Sequence, residues 1–239
     1  NIIAADDGNL WVTTYWKGIE YFDKGTGHFS HYNTATVPGL ASDNIWTVAD
    51  GGNGKLYIGH VHHGFSILSI KDKKVRNFVH DPNNRNSLPG NEVRCVYKDM
   101  NHNIWVGTNK GLALFNPESE NFIQFNSDGN LSHYIYDIRQ LDGNKLWIAM
   151  EFGGIAIMDL SQRLFLLPEQ TQFHYIREGD DGYSLSNSSA RCIFQDSFKN
   201  IWTGVWGGGI NFLSYEPPLF SGYYYSPNQN SMSRLNNKT

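Results

Sequence analysis

Aromatic and hydrogen-bonding side chains recur together in five short stretches: Tyr15-Trp16-Lys17, His60-Val61-His62-His63, Asn109-Lys110, Glu151-Phe152 and Val205-Trp206. Flat ring faces stack on sugar rings, and Glu, His, Asn and Lys hydrogen-bond hydroxyl groups. Tyr15, Trp16, His62, His63, Lys110, Glu151, Phe152 and Trp206 are therefore candidate ligand contacts. Trp46, Arg94, Tyr136 and Arg191 stand at a second recurring position, and Arg94 and Arg191 join the candidates. An acidic sugar would favour Arg94, Arg191 and Lys110, because cationic donors pair strongly with carboxylates. Each candidate has a plainer reading. Trp16, Phe152 and Trp206 could cap an apolar core, and the two arginines could form ion pairs between repeats.

Other chemistry finds weaker support. His60 and His62 fall on one side of an extended segment, which raises metal binding. Zinc needs three or four ligands in a defined shell, so the expectation is a solvated loop with no metal and no cofactor. Asp6, Asp50, Asp99 and Asp196 recur before Gly or Asn, which marks turn-forming carboxylates rather than calcium ligands. No nucleophile–base pairing and no phosphate-binding glycine loop is present. Glu151 is the acidic residue of the five stretches; Glu92 or Asp137 would have to supply the second carboxylate of a glycosidase. The expectation is a binding module, not an enzyme.

The elements that position these side chains repeat about every 48 residues. Trp11, Tyr57, Trp105, Trp147 and Trp202 each sit in a short segment such as Asn103-Ile104-Trp105-Val106-Gly107-Thr108. A Gly and an apolar residue follow each one: Gly18-Ile19, Gly64-Phe65, Gly111-Leu112, Gly154-Ile155 and Gly209-Ile210. Upstream lie alternating segments such as Ile45-Trp46-Thr47-Val48 and Val93-Arg94-Cys95-Val96. Each repeat reads as four strands, A to D, with the anchor aromatic on strand B. This is the pattern of a β-propeller: all-β, four-stranded antiparallel blades, about five of them. In that topology the B–C loops and the D–A connections share one face, so the five stretches gather there. Variation on one face of a repeat array marks a binding surface. The first repeat begins in an A–B turn with no strand A. Residues 1–215 read as blades, and 216–239 as an outer strand and connection leading to a further blade.

Net charge is −4 with no basic stripe, which disfavours nucleic acid as a partner. No apolar run approaches the roughly eighteen residues that a membrane helix needs. The chain begins inside a motif with no leader, as a mature fragment would. Cys95 and Cys192 hold one slot in two repeats and read as small buried thiols, too far apart to bridge.

Asp99 to Leu112 follows the pattern Asp-x-x-x-Asn-Ile-Trp-Val-Gly-Thr-x-x-Gly-Leu. This segment resembles the propeller repeat of two-component regulators, as do Asp81-Pro82-Asn83-Asn84-Arg85-Asn86-Ser87-Leu88 and Trp206-Gly207-Gly208-Gly209-Ile210-Asn211-Phe212. Together they are similar to the periplasmic sensor region of hybrid two-component systems of Bacteroidetes. The resemblance implies a piece of a ring of about seven blades, or of two successive rings. It also implies a membrane-anchored parent, dimeric through its ectodomain, that senses an oligosaccharide from glycan breakdown and controls polysaccharide utilisation. Two alternatives stay open: a fragment of a propeller glycan hydrolase or lyase, and a structural dimerisation scaffold.

Overall fold

The computed structural model describes residues 1–125, 131, 133–141, 143–161, 167–179 and 184–215. The expected outer strand and connection at 216–239 lie outside the described residues. Five antiparallel sheets follow one another along the chain, each with its strands in sequence order. Blade 1 holds β1 (Ile2–Ala4), β2 (Leu10–Thr14), β3 (Gly18–Phe22) and β4 (Phe29–Tyr32). Blade 2 holds β5 (Ile45–Gly52), β6 (Lys55–His60), β7 (Phe65–Ser69) and β8 (Val75–Phe78). Blade 3 holds β9 (Val93–Lys98), β10 (Ile104–Thr108), β11 (Gly111–Asn116) and β12 (Asn121–Gln124). Blade 4 holds β13 (Ile135–Leu141), β14 (Lys145–Met150), β15 (Gly154–Asp159) and β16 (Phe173–Ile176). Blade 5 is described through β17 (Ala190–Gln195), β18 (Ile201–Val205) and β19 (Gly209–Leu213). Among the described residues the five blades do not close a ring.

One expectation is corrected at the first blade. It does have a strand A: β1 pairs with β2 through Ile2↔Val12, Ile3↔Trp11 and Ala4↔Leu10. Three residues are too short for an alternating pattern to register in the sequence.

The anchors occupy matching places. Trp11, Tyr57, Trp105, Trp147 and Trp202 pair on strand A with Ile3, Ala49, Tyr97, Arg139 and Phe194. Each of the first four anchors turns toward the next blade. Trp11 packs with Ile45, Val48 and Leu56 of blade 2. Tyr57 packs with Val96, Ile104 and Val106 of blade 3. Trp105 packs with Ile138, Leu146 and Ile148 of blade 4, and Trp147 with Ile193, Ile201 and Val205 of blade 5. The core is thus four apolar layers between five sheets, because neither face of a blade can be covered by the blade itself.

Local chemistry explains the repeating letters. Asp99 accepts the N–H groups of Asn101 (2.9 Å) and Asn103 (2.8 Å), the Asn103 amide (2.8 Å) and the Trp105 indole (2.9 Å). One carboxylate therefore shapes the A–B turn and orients the anchor ring. Asp196 repeats the set on Phe198, Asn200 and Trp202. The glycine opening strand C has positive φ in all five blades: Gly18, Gly64, Gly111, Gly154 and Gly209. A Cβ at Gly18, Gly64 or Gly154 would also strike the carbonyl of Tyr32, Phe78 or Ile176 at 2.1–2.3 Å.

The cysteine expectation holds for Cys95, which is buried, and fails for Cys192, which is exposed. Cys95 Sγ reaches the Ile135 carbonyl of the next blade at 3.8 Å. No sheet lies beyond blade 5 among the described residues, so Cys192 has no such cover. Both thiols are free.

Candidate functional site

Strand A enters each blade from the face that carries the B–C loops. Backbone hydrogen bonds tie the two together: Val61 N–H to Asn44 O (3.0 Å), Asn109 to Glu92 (3.0 Å), Glu151 to Tyr134 (3.0 Å) and Trp206 to Ser189 (2.9 Å). Immediately after this entry, strand A bulges at the same place in blades 2 to 5. Ile45 pairs with His60 and Thr47 with Gly59, which leaves Trp46 unpaired in the ladder. The pairings around Arg94, Tyr136 and Arg191 skip those residues in the same way. A bulge bends its strand and re-aims one side chain, and it often does so beside a site. Here four bulges aim four side chains at the same rim.

Those side chains interlock. The Arg94 guanidinium lies 4.4 Å from the Trp46 ring, 5.2 Å from Tyr134 and 5.3 Å from Tyr136. Arg191 lies 3.8 Å from Tyr136 and 5.2 Å from Trp206. Tyr15 extends the row at the other end, 5.3 Å from Trp46 and 4.8 Å from Trp16. The result is a row, Trp16–Tyr15–Trp46–Arg94–Tyr136–Arg191–Trp206, across all five blades, in which π-faces and cations alternate from Trp46 onward. Each cation–π contact is worth about 0.5–2 kcal/mol. Trp46, Arg94, Tyr136 and Arg191 also line a cavity of about 530 Å3, bounded by the first strands of the blades.

The candidate residues fall into three groups. Tyr15, Trp16, Arg94, Arg191, Glu151 and Trp206 come together, Glu151 through a 2.7 Å ion pair with Arg191 of the next blade. That pair is a link between blades. Among the described residues Arg94 makes no such link; its carboxylate is Glu92, two residues upstream and 3.5 Å away. His62 reaches Glu92 at 3.7 Å and stands at the margin. His63, Lys110 and Phe152 are exposed in their loops, and no hydrogen bond or ring contact joins their side chains to the row among the described residues. Phe152, 73% exposed, has a φ of 59° that holds it outward.

His60 leaves the loop cluster altogether. It is the last residue of β6, fully buried, with Nε2 2.8 Å from Ser66 Oγ. Burial pushes its pKa down to about 4. The three histidines therefore do not converge. Below the row, Asp137 accepts the Ile193 N–H at 2.9 Å and meets Arg139 at 3.1 Å, while burial raises its pKa. Of the possible second carboxylates, Glu92 stands with Arg94 and Asp137 with Arg139. Tyr134 joins the site although the sequence did not single it out, and Glu92, weighed there only as a second catalytic carboxylate, joins it beside Arg94. Their signal was position, two residues before the bulged residue.

Residues 87–110 match the family described as "Two component regulator propeller". The matched stretch holds β9 and β10 of blade 3, so the chain carries a two-component regulator propeller repeat. A solved relative is the extracellular domain of a hybrid two-component system from B. thetaiotaomicron. It is 55% identical, with a TM-score of 0.78 over 91% of this chain and 27% of that one. The extracellular domain of a one-component system from the same organism shares 20% identity and a TM-score of 0.69, covering 91% and 28%. Histidine kinase P4 of Formosa agariphila is 30% identical over 86 residues, 33% of this chain and 6% of that relative. The propeller run described here thus spans about a quarter of the solved relatives. It is a propeller segment of the kind that builds the extracellular domain of a hybrid two-component system.

Proposed function

We propose that these blades are the ligand-reading part of an extracytoplasmic sensor, and that the ligand is an oligosaccharide released from a complex glycan. The parent is a periplasmic, membrane-anchored hybrid two-component regulator that responds by controlling polysaccharide utilisation. One observation carries the reading: four successive bulges turn Trp46, Arg94, Tyr136 and Arg191 onto one cavity mouth, beside exposed indoles. Trp16 is 66% exposed and Trp206 70%, so each leaves ring surface free to lie on a sugar. Binding without turnover suits the carboxylates, since Glu151 and Glu92 each stand beside an arginine.

Titration calorimetry of the parent ectodomain against a glycan panel tests this. The Trp16→Ala/Trp206→Ala double variant is expected to lose at least tenfold in affinity for the best binder while its melting temperature holds. Unchanged affinity in a folded variant would place the site elsewhere.

A further inference from the structure

The arginines of the row carry more than the sugar reading requires. The Nε–H of Arg94 and that of Arg191 are both buried without a hydrogen-bond acceptor among the described residues. A buried donor left unmade is costly, and a charged one more so. Arg94 is the less satisfied, since its Glu92 partner is 3.5 Å away, at the outer limit of a hydrogen bond. Glu92 is shared at similarly long range with Asn109 (3.5 Å) and His62 (3.7 Å).

The charges are asymmetric at the rim of the cavity rather than over its whole wall. Arg94 and Arg191 line it and neither Glu92 nor Glu151 does, while Asp6, Asp50, Asp137, Lys98 and Arg139 line it as well. At the rim, the bulged positions present two cations and two aromatic rings. Asp137, further in, is already held by Arg139 and the Ile193 N–H. The two cations reach the Tyr136 ring from the blades on either side of it. The two guanidiniums flank one ring, so an anion seated at the rim between them can meet both at once and supply acceptors.

We infer that the ligand is anionic, with a carboxylate or sulfate ester of the oligosaccharide seated on Arg94 and Arg191 at the rim beside Tyr136. This rests on the sugar reading of the same mouth and narrows it. Arginine suits the role because its planar fork matches both oxyanions, which a lysine point charge does not.

The test titrates the parent ectodomain with three sets of oligosaccharides: uronate-containing, sulfate-bearing and neutral. The strongest binder is expected to be anionic. Its neutral counterpart, with carboxyls reduced or sulfates removed, should bind at least tenfold more weakly. Arg94→Gln and Arg191→Gln should each cost at least tenfold with the anionic sugar and leave the melting temperature within a few degrees. Arg94→Lys should recover only part of the loss. The uronate and sulfate arms identify which oxyanion is read. A neutral best binder, or arginine variants that bind the anionic sugar as well as wild type, overturns the inference and leaves the sugar reading standing. Failure of every set to bind overturns both.

Discussion

Blades 3 and 5 carry nearly the same local motif and end in different surroundings. In β10 every residue is buried, and Trp105 is 0% exposed. In β18 burial alternates, and Trp202 is 38% exposed. Yet the A–B turns are alike: Trp105 donates to Asp99 at 2.9 Å and Trp202 to Asp196 at 3.0 Å. The turn is a local device that forms from its own letters. Burial is a gift of the neighbouring sheet: blade 4 covers Trp105, and no described sheet covers Trp202. The glycine two residues after the anchor makes the same point. A Cβ at Gly107 would press on Cys95 and on Ile135 of the next blade, whereas one at Gly204 would meet only Cys192 of its own.

The largest test of this contrast is the anchor pair. Trp105→Ala should cost about 3–5 kcal/mol, and Trp202→Ala about 1 kcal/mol, in denaturant unfolding of this chain. Equal costs would show that the exposed ring is covered in solution.

The next test uses a proton as the probe of an interior layer. His60, with a pKa lowered to about 4 by burial, stays neutral in the folded state while the unfolded chain takes up a proton near 6.5. A lowered pKa of this kind leaves stability intact above 6.5 and removes it as pH falls toward 4, by as much as about 3 kcal/mol. The difference in unfolding free energy between wild type and His60→Asn, followed from pH 7 to 4, should shrink across that window. A constant difference would mean that His60 is hydrated.

The smallest effect separates turn from packing. Asp99→Ala strands buried donors and should cost about 1–3 kcal/mol. Asp196→Ala exposes its donors to water and should cost less than about 1 kcal/mol. The indole of Trp202 and the Asn200 and Phe198 amides hold the Asp196 carboxyl below the usual carboxylate range, so its turn persists into mild acid.

The anchors, the positive-φ glycines and the turn aspartates were legible because each is a local requirement that recurs at a fixed place. The row at the mouth was half legible. Trp46, Arg94, Tyr136 and Arg191 share a slot in the sequence, but strand alternation does not say where a bulged side chain points, so their convergence needed coordinates. Three misreadings have separate causes. β1 is too short to show a period. His60 looked like loop because its neighbours are loop, and it closes a strand. Cys192 looked like Cys95, yet burial of that slot depends on the sheet that follows.

The most direct test of the mouth as the ligand site is a crystal structure of the parent ectodomain with its best-binding oligosaccharide. Sugar rings are expected against Trp16 or Trp206, with an acidic or polar substituent on Arg94 and Arg191. A sugar bound on the A–B and C–D turn face, with the cation–aromatic row unoccupied, would contradict it.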